Sequence, residues 1–169
     1  SKYTIPIPKS FIDYLNDLGV KQITFSRDVP IGSSDTSFLL SNNELKEIYN
    51  TLFEYKKSYK TDEIVINTAR PLWACFGESG RCPVGFQTLT ILHDGTVFPC
   101  RRLPIPIGNV KNETLFSIWY NSKILWDIRN RGKLNKCGTC KHLDDCGGAR
   151  CIAHAVTGNY MEADPQCWI

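Results

Sequence analysis

Residues 137–151 read CGTCKHLDDCGGARC, and how these fifteen residues are understood decides the rest of the chain. They hold four cysteines: Cys137, two residues, Cys140, five residues, Cys146, four residues, Cys151. The other four, Cys75, Cys82, Cys100 and Cys167, flank the stretch, so that all eight lie in the second part and the first 74 residues have none. A Cys-x2-Cys pair on a tight turn can aim both sulfurs at one centre. Gly138 and the pair Gly147-Gly148 leave the backbone free to wrap round that centre and to turn N–H groups toward sulfur. Zinc and iron–sulfur clusters both take thiolates in fours, so eight cysteines make two complete sites of either kind.

The wider composition limits what such sites can be. The chain has 169 residues, 42% hydrophobic and 22% charged, which describes a folded domain rather than a disordered tail. Its net charge of +3 is too small to argue for nucleic acid or an anionic membrane surface. No apolar run approaches the roughly 20 residues of a membrane span, and SKYTIPIPKS lacks the apolar core of a signal peptide. These features predict a soluble, cytoplasmic chain with neither a nucleic-acid nor a membrane partner. Thiols in that compartment stay reduced, so short regular cysteine spacings point to metal before disulfide. A secreted disulfide scaffold would carry more cysteine, roughly 8–10% or above, and would spread it over the whole chain.

Upstream of the cysteines the pattern changes. Phe11 to Leu18 places Phe11, Ile12, Leu15 and Leu18 at a helical period, with Gly19 as a stop. Lys21 to Arg27 reads as a short strand, followed by a Gly-, Ser- and Pro-containing loop from Asp28 to Ser37. Ser41-Asn42-Asn43-Glu44 is a capping box for a helix from Asn43 to about Lys57, and Glu63 to Asn67 is a second strand. Helix, strand, helix, strand over residues 1–70 is the grammar of an α/β layer with parallel strands. Because such strands need helices on both faces, this layer is expected to be the end of a larger α/β domain; the alternative is a small α/β cap on the cysteine-rich part. Arg70-Pro71 marks the boundary.

Beyond it, Phe86 to Leu92 and Thr96 to Cys100 flank His93-Asp94-Gly95, a hairpin signal, with Pro99 at the end of the second strand. Asn112 is expected to cap a helix turning Leu115, Ile118 and Trp119 inward. Ser122 is expected to cap another, turning Leu125, Trp126 and Ile128 inward and ending at Gly132. A short helix is expected after Cys151.

Taken together, Cys82, the hairpin Gly95, Cys100, the central cysteine run with Cys146-Gly147-Gly148, and the tail Thr157-Gly158-Asn159 to Asp164-Pro165 and Cys167 closely resemble the SPASM domain. That domain is the C-terminal auxiliary-cluster module of radical S-adenosylmethionine enzymes, a family that includes peptide and protein maturases. The gap of four residues before Cys151 is one longer than the family's usual three. The resemblance implies interleaved ligation of two 4Fe–4S clusters: Cys75, Cys82, Cys100 and Cys151 for the first, Cys137, Cys140, Cys146 and Cys167 for the second. Four thiolates on each would leave no iron open, so the clusters would move electrons and shape a substrate channel. Spacing alone would instead group Cys137, Cys140, Cys146 and Cys151 as one local site.

The fold implied is α+β: a C-terminal remnant of a partial (β/α) barrel in residues 1–70, including Val29-Pro30-Ile31-Gly32, then a SPASM domain in residues 71–169 built from a cysteine-rich β-hairpin and helices. The CxxxCxxC loop that binds S-adenosylmethionine does not occur in this sequence. The resemblance therefore implies an N-terminal barrel carrying S-adenosylmethionine and a third 4Fe–4S cluster, with this chain alone inactive. It also implies a peptide or protein substrate and a flavodoxin- or ferredoxin-type reductant. Zinc is expected only in protein handled in air, where clusters decay and vacant thiolates bind it. The rival readings are a twin-zinc protein-binding module and a freestanding iron–sulfur electron carrier.

Other residues have plainer readings. Arg101-Arg102 is a solvated pair or a positive edge facing a cluster. His93, His142 and His154 are turn, exposed and structural residues. Trp73, Trp119, Trp126 and Trp168 are core or cluster-shielding residues, and Asp144-Asp145 have no vacant iron to ligate. No Ser/His/Asp or paired-carboxylate arrangement points to hydrolysis.

Overall fold

The computed structural model describes residues 6–32, 35–60, 63–68, 71–78 and 80–169. Helix α1 (Lys9–Asp17) buries Ile12 and ends where Gly19, at φ +77°, donates its N–H to the Asn16 carbonyl. Strand β1 (Gln22–Phe25) follows. Helix α2 (Asn42–Ser58) starts at the expected capping box: the Glu44 N–H donates to Ser41 Oγ at 3.3 Å, and the Ser41 N–H donates to the Glu44 carboxylate at 2.8 Å. Its buried Leu45, Tyr49 and Leu52 recur at helical spacing and face inward. Strand β2 (Val65–Thr68) pairs in parallel with β1, from Gln22 opposite Val65 to Phe25 opposite Thr68. A parallel pair cannot be closed by a tight turn, and α2 supplies the crossover. Among the described residues this sheet has two strands. Arg70, and with it the expected boundary at Arg70-Pro71, lies outside the described residues, as do Ser33 and Ser34 of the expected loop.

The second part opens with a 3-10 turn at Trp73–Phe76. Strands β3 (Thr90–Ile91) and β4 (Thr96–Phe98) form the expected hairpin, Thr90 opposite Phe98, and β5 (Gly108–Asn109) adds a third antiparallel strand. The paired segments are shorter than the sequence suggests. Phe86 and Gln87 belong to a turn in which both donate to the Pro83 carbonyl, and Pro99 has no N–H to extend β4.

Helix α3 (Leu115–Asn121) is capped by Thr114, not Asn112. The Asn112 and Glu113 N–H groups still bond to the Asn109 carbonyl in the turn leaving β5, which delays the helix start. Helix α4 (Lys123–Arg129) is capped by Ser122 as expected, but it ends at Arg129 and leaves Gly132 to a following 3-10 turn, Arg131–Lys133. Ile118, Leu125 and Ile128 are buried, whereas Leu115 is 43% and Trp126 52% exposed. Trp126 lies on the surface because its Nε1 donates to the Tyr120 carbonyl at 2.6 Å and the Arg129 guanidinium stands 5.1 Å from its ring. Helix α5 (Arg150–Thr157) carries Cys151 and ends at Gly158.

Among the described residues the fold is α+β with two hydrophobic cores. One joins α1, α2 and β2 to Leu72, Trp73 and Cys146; the other gathers Val84, Leu103 and Ile128. The α/β layer packs on the cysteine-rich part through a buried ion pair. Arg27, just after β1, donates through Nη1 and Nη2 to the two carboxylate oxygens of Asp164 at 3.1 and 2.8 Å. Asp164 also accepts the Ala149 and Gln166 N–H groups. Among the described residues no helix is long and apolar enough to cross a membrane.

Candidate metal centres

The eight cysteines do not follow their order in the chain. Cys82 lies in the extended segment before Val84, Cys100 bridges to Leu103 just after β4, and Cys151 sits in the first turn of α5. All three pack on the Val84–Leu103–Ile128 core and line one cavity of about 510 Å³. Burial pushes the Cys151 thiol up and the Cys82 and Cys100 thiols add to the rise, while Arg102 and Arg27 pull it back down. The Arg102 N–H donates to Cys100 Sγ at 3.4 Å, and its Nη2 donates to the Arg27 carbonyl at 2.6 Å.

Cys137, Cys140, Cys146 and Cys167 line a second, small cavity of about 20 Å³ together with Leu72, Leu143 and Asp164. The Cys-x2-Cys pair is bent by a 3-10 turn, with the Cys140 N–H on the Cys137 carbonyl. Sulfur here is surrounded by donors. The Leu72 and Gly148 N–H groups reach Cys146 Sγ at 3.4 Å each, the His142 N–H reaches Cys140 Sγ at 3.5 Å, and Arg150 Nη2 reaches Cys137 Sγ at 3.6 Å. Gly148, at φ +64°, is needed for this approach: a Cβ there would stand 3.1 Å from Cys137 Sγ and would meet Arg150 Nη2. Burial first, and then Asp164 and Cys167, push the Cys146 thiol up, against the pull of the two N–H donors.

Cys75 stands apart from its expected partners. It packs into the first core with Cys146, Cys167, Trp73 and Phe76. Burial, reinforced by Cys146, Cys167 and Cys140, pushes its thiol up to about 12. The structure thus brings together all four residues expected for the second cluster and three of the four expected for the first, and it sets Cys75 beside the second group. Cys151 leaves the central run, as interleaving requires. Among the described residues no three His, Cys, Asp or Glu side chains gather at single-ion spacing. Thiolate donors with N–H groups and guanidinium cations turned toward them fit ligation of an iron–sulfur cluster, whose sulfurs take such bonds.

Some of the charged residues here carry no mark in the sequence. Arg131 lies between the groups, donating Nη2 to the Cys82 carbonyl at 3.3 Å and feeling the Cys82 and Cys146 thiols. Arg27 and Asp164 meet across 137 residues of chain. Arg150 had one available signal, its position inside the cysteine stretch. Of the expected pair, Arg102 reaches the larger cavity and Arg101 is exposed. His93, Asp144 and Asp145 are exposed, and His142 is half-buried rather than exposed. His154 is half-buried on α5. Trp73 is buried, and Trp168 stands edge-on to Tyr49 at 5.2 Å.

Residues 82–146 match SPASM, described as an iron–sulfur cluster-binding domain. The chain is 36% identical over 94 residues to the AdoMet-dependent heme synthase of Methanosarcina barkeri, covering 55% of this chain and 25% of that protein. It is 34% identical over 94 residues to the protein of the same name from Nitratidesulfovibrio vulgaris, covering 55% of this chain and 24% of the relative. With the one from Oleidesulfovibrio alaskensis the figures are 32%, 94 residues, 55% and 22%. The chain spans about a quarter of the length of these curated relatives. In fold it is similar to Streptococcus suis SuiB, solved with S-adenosylmethionine bound: TM-score 0.63, 16% identity, 95% of this chain and 41% of that one.

Proposed function

We propose, for a chain whose residues 82–146 match the SPASM iron–sulfur cluster-binding domain, that it is the auxiliary-cluster part of a radical S-adenosylmethionine enzyme. The observation that carries this reading is the interleaving of thiols, with Cys151 beside Cys82 and Cys100 while its sequence neighbours face Cys167. Cys82, Cys100 and Cys151 hold one cluster; Cys137, Cys140, Cys146 and Cys167 hold the other. A 4Fe–4S cluster in such a site takes up and returns one electron at a time. The protein's share is to set where that electron rests. Arg27, Arg102, Arg131 and Arg150 offset the charge of the thiolates, N–H groups bond to sulfur, and Trp73, Val84, Leu103 and Ile152 keep water from the larger cavity.

In this reading residues 1–70 are the last β/α units of a partial barrel and residues 71–169 the two-cluster domain. The enzyme's own N-terminal barrel is the first partner, with a flavodoxin- or ferredoxin-type protein as reductant. The cavity, lined from both layers by Thr24, Asn67, Cys100 and Cys151 among others, receives the reacting end of a peptide or protein. The names of the curated relatives favour a second substrate class, a heme precursor.

Iron and sulfide analysis of anaerobically prepared protein tests the cluster reading. About eight of each per chain are expected; zinc with no sulfide refutes it. Turnover of a heme precursor by the whole enzyme carrying this chain, with peptides left unchanged, decides for the second substrate class.

A further inference from the structure

Among the described residues two that are not glycine have a positive φ, Leu72 at +77° and Lys136 at +54°. Both adjoin the second cysteine group. The Leu72 N–H donates to Cys146 Sγ, and Lys136 directly precedes Cys137. Leu72 is buried in the first core, whereas Lys136 is exposed. With its ψ at −49° and the Cys137 N–H on the Asn135 carbonyl, Lys136 is the centre of a γ-turn of the rare, strained kind. Such strain persists only where the surroundings fix the turn from both sides.

Both sides of this turn are fixed. Before it, the Asn135 N–H donates to the Met161 carbonyl at 3.0 Å, and Asn135 Nδ2 donates to Glu162 Oε1 at 2.7 Å. After it, the Gly138 N–H donates to the Leu134 carbonyl at 2.8 Å and the Cys140 N–H to the Cys137 carbonyl at 3.1 Å. The segment that anchors Asn135 anchors Arg150 as well. Arg150 Nη1 donates to the Tyr160 and Glu162 carbonyls at 3.0 and 2.7 Å, while its Nη2 reaches Cys137 Sγ at 3.6 Å. Residues 160–162 thus hold Cys137 twice, by its backbone through Asn135 and by its sulfur through Arg150.

We propose that Asn135 is a positioning residue of the second cysteine group: tied to Met161 and Glu162, it holds Lys136 in the strained turn that swings Cys137 toward Cys140, Cys146 and Cys167. The turn lowers folding stability, and what it gives in return is convergence of the four sulfurs. Only thiols and backbone take part, so the same holds whether the group takes a cluster or zinc.

Two measurements test this. Strain of this kind lowers a folding equilibrium roughly five- to a hundred-fold, which outweighs the roughly two- to five-fold cost of giving the unfolded chain a glycine. Lys136→Gly should therefore resist urea better than Lys136→Ala, the reverse of the order expected at Lys133 in its 3-10 turn. The second measurement treats the reduced, iron-free chain with dibromobimane, a short reagent that fluoresces once it bridges two thiols, and identifies the bridged peptides by mass spectrometry. The wild type should bridge Cys137 to a thiol of its own group. Asn135→Ala removes a hydrogen bond worth roughly two- to ten-fold in an equilibrium, and should slow bridging at Cys137 by that factor while Cys140, Cys146 and Cys167 still bridge among themselves at the wild-type rate. Adding Lys136→Gly to Asn135→Ala should restore bridging at Cys137, because a glycine turn needs no clamp. Glycine no more stable than alanine at position 136 overturns the strain. No bridge from Cys137 in the wild type, an unchanged rate in Asn135→Ala, equal slowing at all four cysteines, or no recovery in the double variant overturns the positioning role.

Discussion

Replacing Asp164 by Asn tests whether the ion pair with Arg27 holds the two layers together. The side chains are 4% and 0% exposed, and two bonds of 3.1 and 2.8 Å join them. Burial disfavours the guanidinium charge, and Asp164 more than restores it. Asn keeps the size and one acceptor oxygen but removes the charge, leaving a cation buried without its counter-charge. Breaking a buried pair in this way costs about 3–5 kcal/mol. Domains of this kind have about 5–15 kcal/mol of stability in total, so the variant should be near the edge of folding. The carboxylate also accepts from Ala149 and Gln166, beside the second cysteine group. A double change to Met and Leu is therefore not neutral: each unmet N–H costs about 1–3 kcal/mol. The double variant should still lose less than the sum of the singles, by at least about 2 kcal/mol of coupling. Anaerobic urea denaturation of Asp164→Asn, and of Arg27→Met, Asp164→Leu and the Met/Leu pair as one cycle, supplies these values. A cost below about 1 kcal/mol for Asp164→Asn, the level of a solvent-exposed pair, would refute the reasoning.

Further outcomes follow from the same geometry. Cys151→Ala should strip the cluster held by Cys82 and Cys100 and spare the one held by Cys137, Cys140, Cys146 and Cys167; equal iron loss from both, read by electron paramagnetic resonance, would show the interleaving to be wrong. Gly148→Ala puts a Cβ at φ +64° against Arg150 and Cys137, so it should lose at least about 1–2 kcal/mol and lower the iron content of the second group, whereas wild-type content in this variant would count against the close approach. Tyr160 is held in its neutral form by burial and by its bond to Asp127, which push its phenol up to about 12. An unfolded tyrosine ionises near about 10, so unfolding releases a proton between the two values and stability should fall as pH rises from about 10 to about 12. Tyr160→Phe should reduce that slope, and an unchanged slope in denaturation curves would argue against the shift.

Local chemistry was readable without coordinates. The Ser41/Glu44 box, the stop at Gly19, the hairpin at Asp94-Gly95 and the Ser122 cap each depend on residues within one or two turns of backbone, so the sequence states them almost completely. The cysteine spacing likewise pointed to thiol chemistry, because the number and order of the cysteines are covalent facts. Helix faces were read less well. Leu115 and Trp126 have the right period for burial but lie at the rim, where Trp126 finds a carbonyl and a guanidinium instead of a core.

What only the tertiary structure decided concerns partners far apart in the chain. No periodicity links Arg27 to Asp164, and no spacing says on which side of the Trp73–Phe76 turn Cys75 falls. Those outcomes depend on how the parallel β1–β2 layer packs against the hairpin and α5. That packing is set by burial summed over many residues. The sequence alone pointed to thiol ligation through its eight cysteines; the packing decided that three of them share the larger cavity, and that Cys75 is not beside them.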